Sequence, residues 1–359
     1  MKRSARTKVV WLVLSIVFTL TLASAASAQL GEFVKGVLQP LADGFPKRAI
    51  TVIVVDDPGT REDIYAKTLQ KALRGISPVP ILVSCEPVAT GGTWVKVKEL
   101  PTREGGKDGY YVIVISTFGV VTDLQSEPYT RDVGAKLSDL SMIMVTEAVP
   151  HCITQRKDAP WGPTFAGMVK YGKENPGKLR YISVGIGSTH DIECSWLLAK
   201  LGVKVKKIPA GGEVEALPIV GAGQGDFTLT SIDYALPHIE AGRVIPTMFL
   251  GSAVPAPWDK DPNIVSAERA GLPKTNIIGE VVGLGGPSQI PRAHIDWLNK
   301  LFKAAVSTDE YKKRAKTVPA LSIMMIDAAQ ADEDNKKIYE DCDPIIRAAG
   351  LHIDQRKKK

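Results

Sequence analysis

The chain has 359 residues, 44% of them hydrophobic and 23% charged, a balance that fits a folded globular protein and excludes a disordered, collagen-like or disulfide-dense one. Lys and Arg number 45 against 39 Asp and Glu, for a net charge of +6, and four of the cations (Lys2, Arg3, Arg6, Lys8) fall in the first eight residues, where no acid sits. Without those four the balance drops from +6 to +2, and no basic stripe with interleaved aromatics is present, so nucleic acid is not an expected partner.

Lys2–Lys8 reads as the basic start of a secretory signal peptide, Val9–Ala23 as its apolar core, and Ala26-Ser27-Ala28 as the small-residue site for cleavage after Ala28. The apolar run is short of the ~20 residues that span a bilayer. No later stretch is long and apolar enough to do so. The expected location is periplasmic, as an exported soluble protein. Cys85, Cys152, Cys194 and Cys342 are widely spaced with no CxxC pair, so cysteine metal ligation is not expected; disulfides and buried thiols both remain open.

From Phe45 onward strand-like and helix-like segments alternate. Ile50–Val55 is a β-branched run of the kind buried on both faces of a sheet, and Asp57-Pro58-Gly59-Thr60 breaks it. A helix is predicted over 62–73, a strand over 80–84, a short helix over 94–100, and strands over 110–115 and 141–146. A second unit follows: helix 164–174, strand 181–184, helix 191–200, strand 204–208, helix 213–220, strand 227–230 and helix 232–241. A Pro-rich connection from about Ala253 leads to helices over 293–305, 309–316 and 328–349. This order implies parallel sheets covered by helices. Two similar α/β units, the second inserted into the first, imply a hinged two-lobe protein with lobe 1 over 45–147 and 252–359 and lobe 2 over 148–251.

Ligands of open α/β sheets sit beyond the carboxyl ends of strands, near helix N-termini. The turns at 56–62, 116–119, 185–190 and 230–233 are therefore the candidate site. Gly185-Ile186-Gly187-Ser188-Thr189-His190 combines glycines that allow close backbone approach with hydroxyls beside free helix-start amides, a combination suited to a carboxylate or phosphate oxygen. Thr60 is a natural cap, and Arg61 can act as a carboxylate clamp or a solvated charge. Asp56 ends its strand at the presumed cleft. No GxSxG, HExxH or P-loop occurs, and His190 is the one histidine in a cleft turn. A Ser188/His190 hydrolytic pair would lack an orienting third group.

The ordered pieces Phe45–Val54, Asp63, Asp108-Gly109-Tyr110, Asn175-Pro176-Gly177-Lys178-Leu179, Gly185–Ser188, Gly223-Gln224-Gly225-Asp226, Ala235–Gly242 and Ala270-Gly271-Leu272-Pro273 resemble the solute-binding proteins of tripartite tricarboxylate transporters, the Bug family. The resemblance runs from about Phe45 to Leu351. It implies an α/β type II periplasmic binding protein, two doubly wound lobes with a hinge and a ligand cleft. It further implies a non-enzymatic monomer without a cofactor, which captures a small organic acid and delivers it to membrane permease subunits. The alternatives are a ligand sensor presenting its solute to a membrane signalling protein, and a secreted hydrolase. The candidate ligand-binding residues are Asp56, Gly59, Thr60, Arg61, Ser116, Thr117, Gly187, Ser188, Thr189, His190 and Thr230. Where the family's first turn is proline- and glycine-rich, this chain has Val55-Asp56-Asp57-Pro58-Gly59-Thr60-Arg61. Either Arg61 offsets Asp56, Asp56 points to solvent, or the ligand carries a cationic or hydroxyl-rich end.

Overall fold

The computed structural model describes residues 31–88, 91–128, 130, 133–272 and 279–356; the expected signal peptide at 1–28 lies outside the described residues. A small hairpin, β1 (Phe33–Val34) and β2 (Val37–Leu38), precedes the first unit. Ile50–Val54 forms β3, buried at every position but one because its β-branched side chains pack on both faces. α1 (Arg61–Ala72), β4 (Ile81–Cys85), α2 (Gly92–Glu99), β5 (Tyr111–Ser116) and α3 (Thr117–Gln125) follow, with β3 parallel to both β4 and β5.

Leu140–Arg156 is one strand, β6, of 17 residues, much longer than the predicted 141–146. The second unit then runs α4 (Phe165–Glu174), β7 (Leu179–Ser183), α5 (Thr189–Leu201), β8 (Val205–Pro209), α6 (Glu213–Gly221), β9 (Phe227–Ser231), α7 (Ile232–Glu240), β10 (Val244–Phe249) and β11 (Val265–Ser266). β7 lies parallel to β8 and β9, and β11 pairs with β10, so the second unit's sheet extends to Ser266. β12 (Gly279–Pro287) returns the chain to the first unit, followed by α8 (Arg292–Val306), α9 (Asp309–Thr317), β13 (Ser322–Asp327), α10 (Ala328–Ala348) and the short α11 (Ile353–Arg356).

β6 is the shared beam. Its first half pairs with β12 and β13, and its second half with β9 and β10. The crossing between lobes is pinned in the first lobe: Glu147, fully buried, accepts two hydrogen bonds from Arg314 (2.8 and 3.2 Å) and one from Tyr311 Oη (2.7 Å). One residue earlier, Thr146 Oγ1 shares a 2.6 Å hydrogen bond with Tyr65 Oη. One apolar core fills the first lobe around Val52, Leu69, Trp297 and Phe302; a second fills part of the other lobe around Ile182, Leu217 and Phe249. A third is continuous across both, joining Ile113 and Phe118 to Tyr181, Leu197 and Ile338 of α10. Cys152, Cys194 and Cys342 are buried, Cys85 is half-buried, and all four are free thiols.

Candidate functional site

The carboxyl ends of β3 and β5 open onto a cavity of about 390 Å³, lined by Val55 and Asp56 just past β3, Glu62 of α1, Gly92 and Thr93 of α2, Ser116 at the end of β5, Gly119 and Asp123 of α3, and Glu280 of β12. This is where an open α/β sheet is expected to receive a ligand. A side chain at Gly92 would press within 3.2 Å of Val55 and Val88, so glycine there keeps the wall back.

Four acids from four separate segments thus face one space. Burial, then Glu280 and Asp57, holds Asp56 above its usual range. Burial, then Glu280 and Asp56, pushes Glu62 up to about 7. Burial, then Asp56, pushes Asp123 up to about 7. Like charges in a partly desolvated cavity disfavour ionisation, which is why all three move the same way.

Arg61 does not neutralise them by pairing. Its Nη2 donates to both carboxylate oxygens of Asp233 at 2.8 and 3.0 Å, joining the first turn of α1 in one lobe to the first turn of α7 in the other. The guanidinium also sits 5.3 Å from the Tyr234 ring centre. So Arg61 is a carboxylate clamp, and the carboxylate is the protein's own. Burial and Glu213 push Asp233 upward while Arg61 pulls it down.

Several backbone amides at the candidate turns already have acceptors within the protein. Gly59 N donates to Asp63 Oδ2 at 2.7 Å, and Thr60 caps α1 by accepting from Asp63 N. Ser116 caps α3 by accepting from Gly119 N at 3.3 Å. Gly187 N donates to Asp191 Oδ2 at 3.0 Å, and Ser188 caps α5 by accepting from Asp191 N at 3.2 Å. Ser231 N, at the end of β9, donates to Glu213 Oε1 at 2.6 Å. Asp191 is itself locked by Ser183 Oγ (2.9 Å) and Lys207 Nζ (2.8 Å), which makes it a bracket for the whole 185–190 turn. Gly187 is required there: its φ is +79°, and a Cβ would come within 2.8 Å of Ser126 Oγ, which donates across the lobes to Gly187 O at 2.9 Å.

His190 is not aligned with Ser188; its Nε2 lies 3.3 Å from Glu213 Oε1, and its ring stacks 4.2 Å from that of His151. His151 Nδ1 in turn lies 2.5 Å from Glu193 Oε2, with both residues fully buried. Burial opposes the charge on His190, but Glu213 outweighs it and holds the imidazole above its usual range. Burial likewise opposes the charge on Glu213, and His190, His151 and Ser231 N together hold it down at about 2. These groups form one buried acid–imidazole chain under the second lobe's side of the cleft.

Of the predicted residues, Asp56 and Ser116 line the cavity, while Gly59, Thr60 and Arg61 form the adjoining helix start. Thr117 and Thr230 are buried, and Thr230 Oγ1 has no hydrogen-bond partner among the described residues. Gly187, Ser188, Thr189 and His190 lie together on the second lobe. Glu62 and Asp233 fall within the candidate turns 56–62 and 230–233 without being singled out as ligand residues, and Asp123 and Glu280 lie outside them. For Glu62 and Asp233 a signal existed, an acid in the first turn of a helix at a cleft turn; for Asp123 and Glu280 none did.

A known family matches this architecture: the tripartite tricarboxylate transporter family receptor, TctC, aligns over residues 65–350. The chain belongs to that family. A UPF0065 protein of Bordetella pertussis is 26% identical over 202 residues, 56% of this chain and 60% of that protein. A UPF0065 protein from the tcbD–tcbE intergenic region of Pseudomonas sp. strain P51 is 25% identical, covering 75% and 76% of the two chains. Among solved structures, a TctC solute-binding protein from Polaromonas superposes with a TM-score of 0.71 at 19% identity, covering 85% of this chain and 99% of that one. MatC of Rhodopseudomonas palustris, solved with bound malate, gives 0.60 at 20% identity over 84% and 100%. A second R. palustris protein, solved with adipate, gives 0.64 at 18% over 86% and 99%. Those superpositions show that the TctC receptor chain has the fold of these solute-binding proteins. Among its described residues no helix is long and apolar enough to cross a membrane.

Proposed function

We propose that this TctC receptor is the extracytoplasmic solute-binding component of a tripartite tricarboxylate-type transporter. It is exported by the 1–28 segment, cleaved after Ala28 and released to the periplasm as a monomer. It closes its lobes on a small organic acid and presents it to membrane permease subunits. The observation that carries this reading is the Arg61–Asp233 pair, which links two hinged lobes beside a cavity at the carboxyl ends of β3 and β5. Arg61 already holds a carboxylate there with one nitrogen bridging both oxygens, the chemistry that a solute carboxylate would use. The malate and adipate in the two R. palustris proteins support the same class of solute. Ile64, Ile186, Val214 and Tyr234, exposed apolar side chains next to helix starts on the two lobes, suit contact with a permease.

The test is a thermal-shift screen of organic acids, followed by small-angle scattering with any that bind. A solute that binds only the folded state raises Tm by mass action. The expected result is a raised Tm together with a smaller radius of gyration. A panel that produces neither, with scattering unchanged at millimolar solute, overturns the reading.

A further inference from the structure

We propose that the carboxylate of the solute seats on the start of α2, held by the amides of Gly92 and Thr93 and by the Thr93 hydroxyl, and that it enters the cavity together with a proton. The proposal rests on the receptor reading above and names how that solute is gripped.

The first observation is the helix start. The first amides of a helix have no partner within it. At α2 the cap is Gly91, with a φ of +70° and no side chain to accept from them. Gly92 N and Thr93 N donate to no acceptor among the described residues, and Gly91, Gly92 and Thr93 all line the cavity. Free amides at the positive end of a helix dipole favour an oxyanion.

The second observation is the Thr93 side chain. Thr93 keeps 7% of its surface exposed, lines the same cavity and makes no side-chain hydrogen bond among the described residues. Its hydroxyl is nevertheless not one of the unpartnered polar atoms sealed inside the protein, so it opens to the cavity. A buried hydroxyl without a partner is costly, and a ligand oxygen removes that cost. Other donors of the cleft are committed. The amides of Gly59, Gly119, Gly187 and Ser231 donate to Asp63, Ser116, Asp191 and Glu213, and Arg61 holds Asp233.

The third observation is what faces this donor set. Asp56 after β3, Glu62 of α1, Asp123 of α3 and Glu280 of β12 line the rest of the cavity, and no basic residue does. Glu62 feels Glu280, Asp56 and Arg61, and Asp123 feels Asp56; burial and these acids hold both at about 7. A cavity of about 390 Å³ brings an incoming carboxylate close to all four acids, and a further negative charge favours their neutral forms. The balance is simple. A proton from solvent adds to the carboxylate of Glu62 or Asp123, and the charge it removes offsets the charge that the solute brings.

The test uses the exported protein with butanoate, succinate and 4-aminobutanoate, within a wider set of monocarboxylates, dicarboxylates and amino acids of three to eight carbons. Calorimetry is run for each from pH 7 to pH 9 and, at one pH, in phosphate and in Tris, whose different ionisation heats reveal proton uptake. The expected result is that a carboxylate probe binds about tenfold more weakly at pH 9 than at pH 7 and takes up protons on binding. Thr93→Val should weaken binding about tenfold with the unliganded Tm unchanged, and Thr93→Ser should restore it. The double substitution Glu62→Gln with Asp123→Asn should flatten the pH dependence while keeping or raising affinity at pH 9. Undiminished binding by Thr93→Val would overturn the start of α2 as the seat. Carboxylate binding that is flat from pH 7 to pH 9 in the unaltered protein, or a panel in which only 4-aminobutanoate and other amino acids bind and no proton is taken up, would overturn the accompanying proton; either result leaves the receptor reading standing. Silence from every probe, with no compaction by scattering, would overturn both readings.

Discussion

Arg61 and Asp233, 172 positions apart in the chain, meet at 2.8 and 3.0 Å and connect the two lobes through the first turns of α1 and α7. Both side chains are mostly buried, with 14% and 20% of their surface exposed, so the pair is screened less than a surface ion pair. It acts as a latch on one lobe arrangement. Asp233→Asn removes the charge but keeps the shape. The expected outcome is a loss of about 1–3 kcal/mol in urea unfolding and a larger radius of gyration without solute. An unchanged radius would show that β6, β12 and α10 hold the lobes together without the latch.

The acid cavity makes a prediction with a definite sign. Glu62 and Asp123 rest at about 7 in the folded protein, against ordinary values of 4.5 and 3.8. Between those limits the folded chain binds more protons than the unfolded one, so stability falls as pH rises from about 4 to about 7. Glu62→Gln should therefore stabilise the protein at pH 8, by about 1 kcal/mol or more, and do little at pH 4. Urea midpoints at the two pH values, with m unchanged, measure this directly.

The His190–Glu213 pair behaves differently. Glu213 is held down at about 2, so its contribution is present above its ordinary value of 4.5 and lost as pH falls toward 2. His190 is held above its ordinary 6.5, so its contribution is present below 6.5 and lost as pH rises through its folded value. The stability difference between the protein and His190→Gln should be largest near pH 5–6 and shrink on both sides. A difference that is flat from pH 3 to pH 9 would mean that the imidazole stays neutral throughout.

Glu147 is the anchor of the shared strand. Glu147→Gln leaves the buried guanidinium of Arg314 without its counter-charge and weakens the Tyr311 hydrogen bond. Breaking a buried pair from one side costs about 3–5 kcal/mol, so a marked drop in Tm is expected. The double substitution with Arg314→Met should recover part of the loss, and a double-mutant cycle measures the coupling.

Gly187→Ala tests the cleft turn. Its φ of +79° is costly for alanine, and the added Cβ meets Ser126 Oγ at 2.8 Å. A loss of about 1–3 kcal/mol is expected. Because Ser126 reaches Gly187 from the other lobe, solute affinity should fall as well. Normal affinity would show that the turn's backbone does not take part in closure.

The alternation of β-branched runs with helical periodicity determined by itself that this is an α/β protein, and placed most helices and the strands β3–β5 and β7–β9 within a few residues of where they fold. Those patterns are local: burial on both faces selects Ile50–Val54, and Thr60 announces a helix start by capping it, whereas the helix that Ser116 caps was not predicted. The sequence motifs likewise located the family. What only the tertiary structure decided is long-range. β12, rich in glycine, and β13 lacked a strand pattern and exist because β6 offers them a partner. The length of β6 comes from pairing with strands of both lobes along its two halves. The charge of the site was decided in the same way. Asp56, Glu62, Asp123 and Glu280 are scattered over 225 positions and become one acidic cavity only when sheet register brings their segments together. Arg61, which could have offset them, is drawn instead to Asp233. Pairwise electrostatics depends on distance in space, and residue order carries no measure of that distance until the chain has folded.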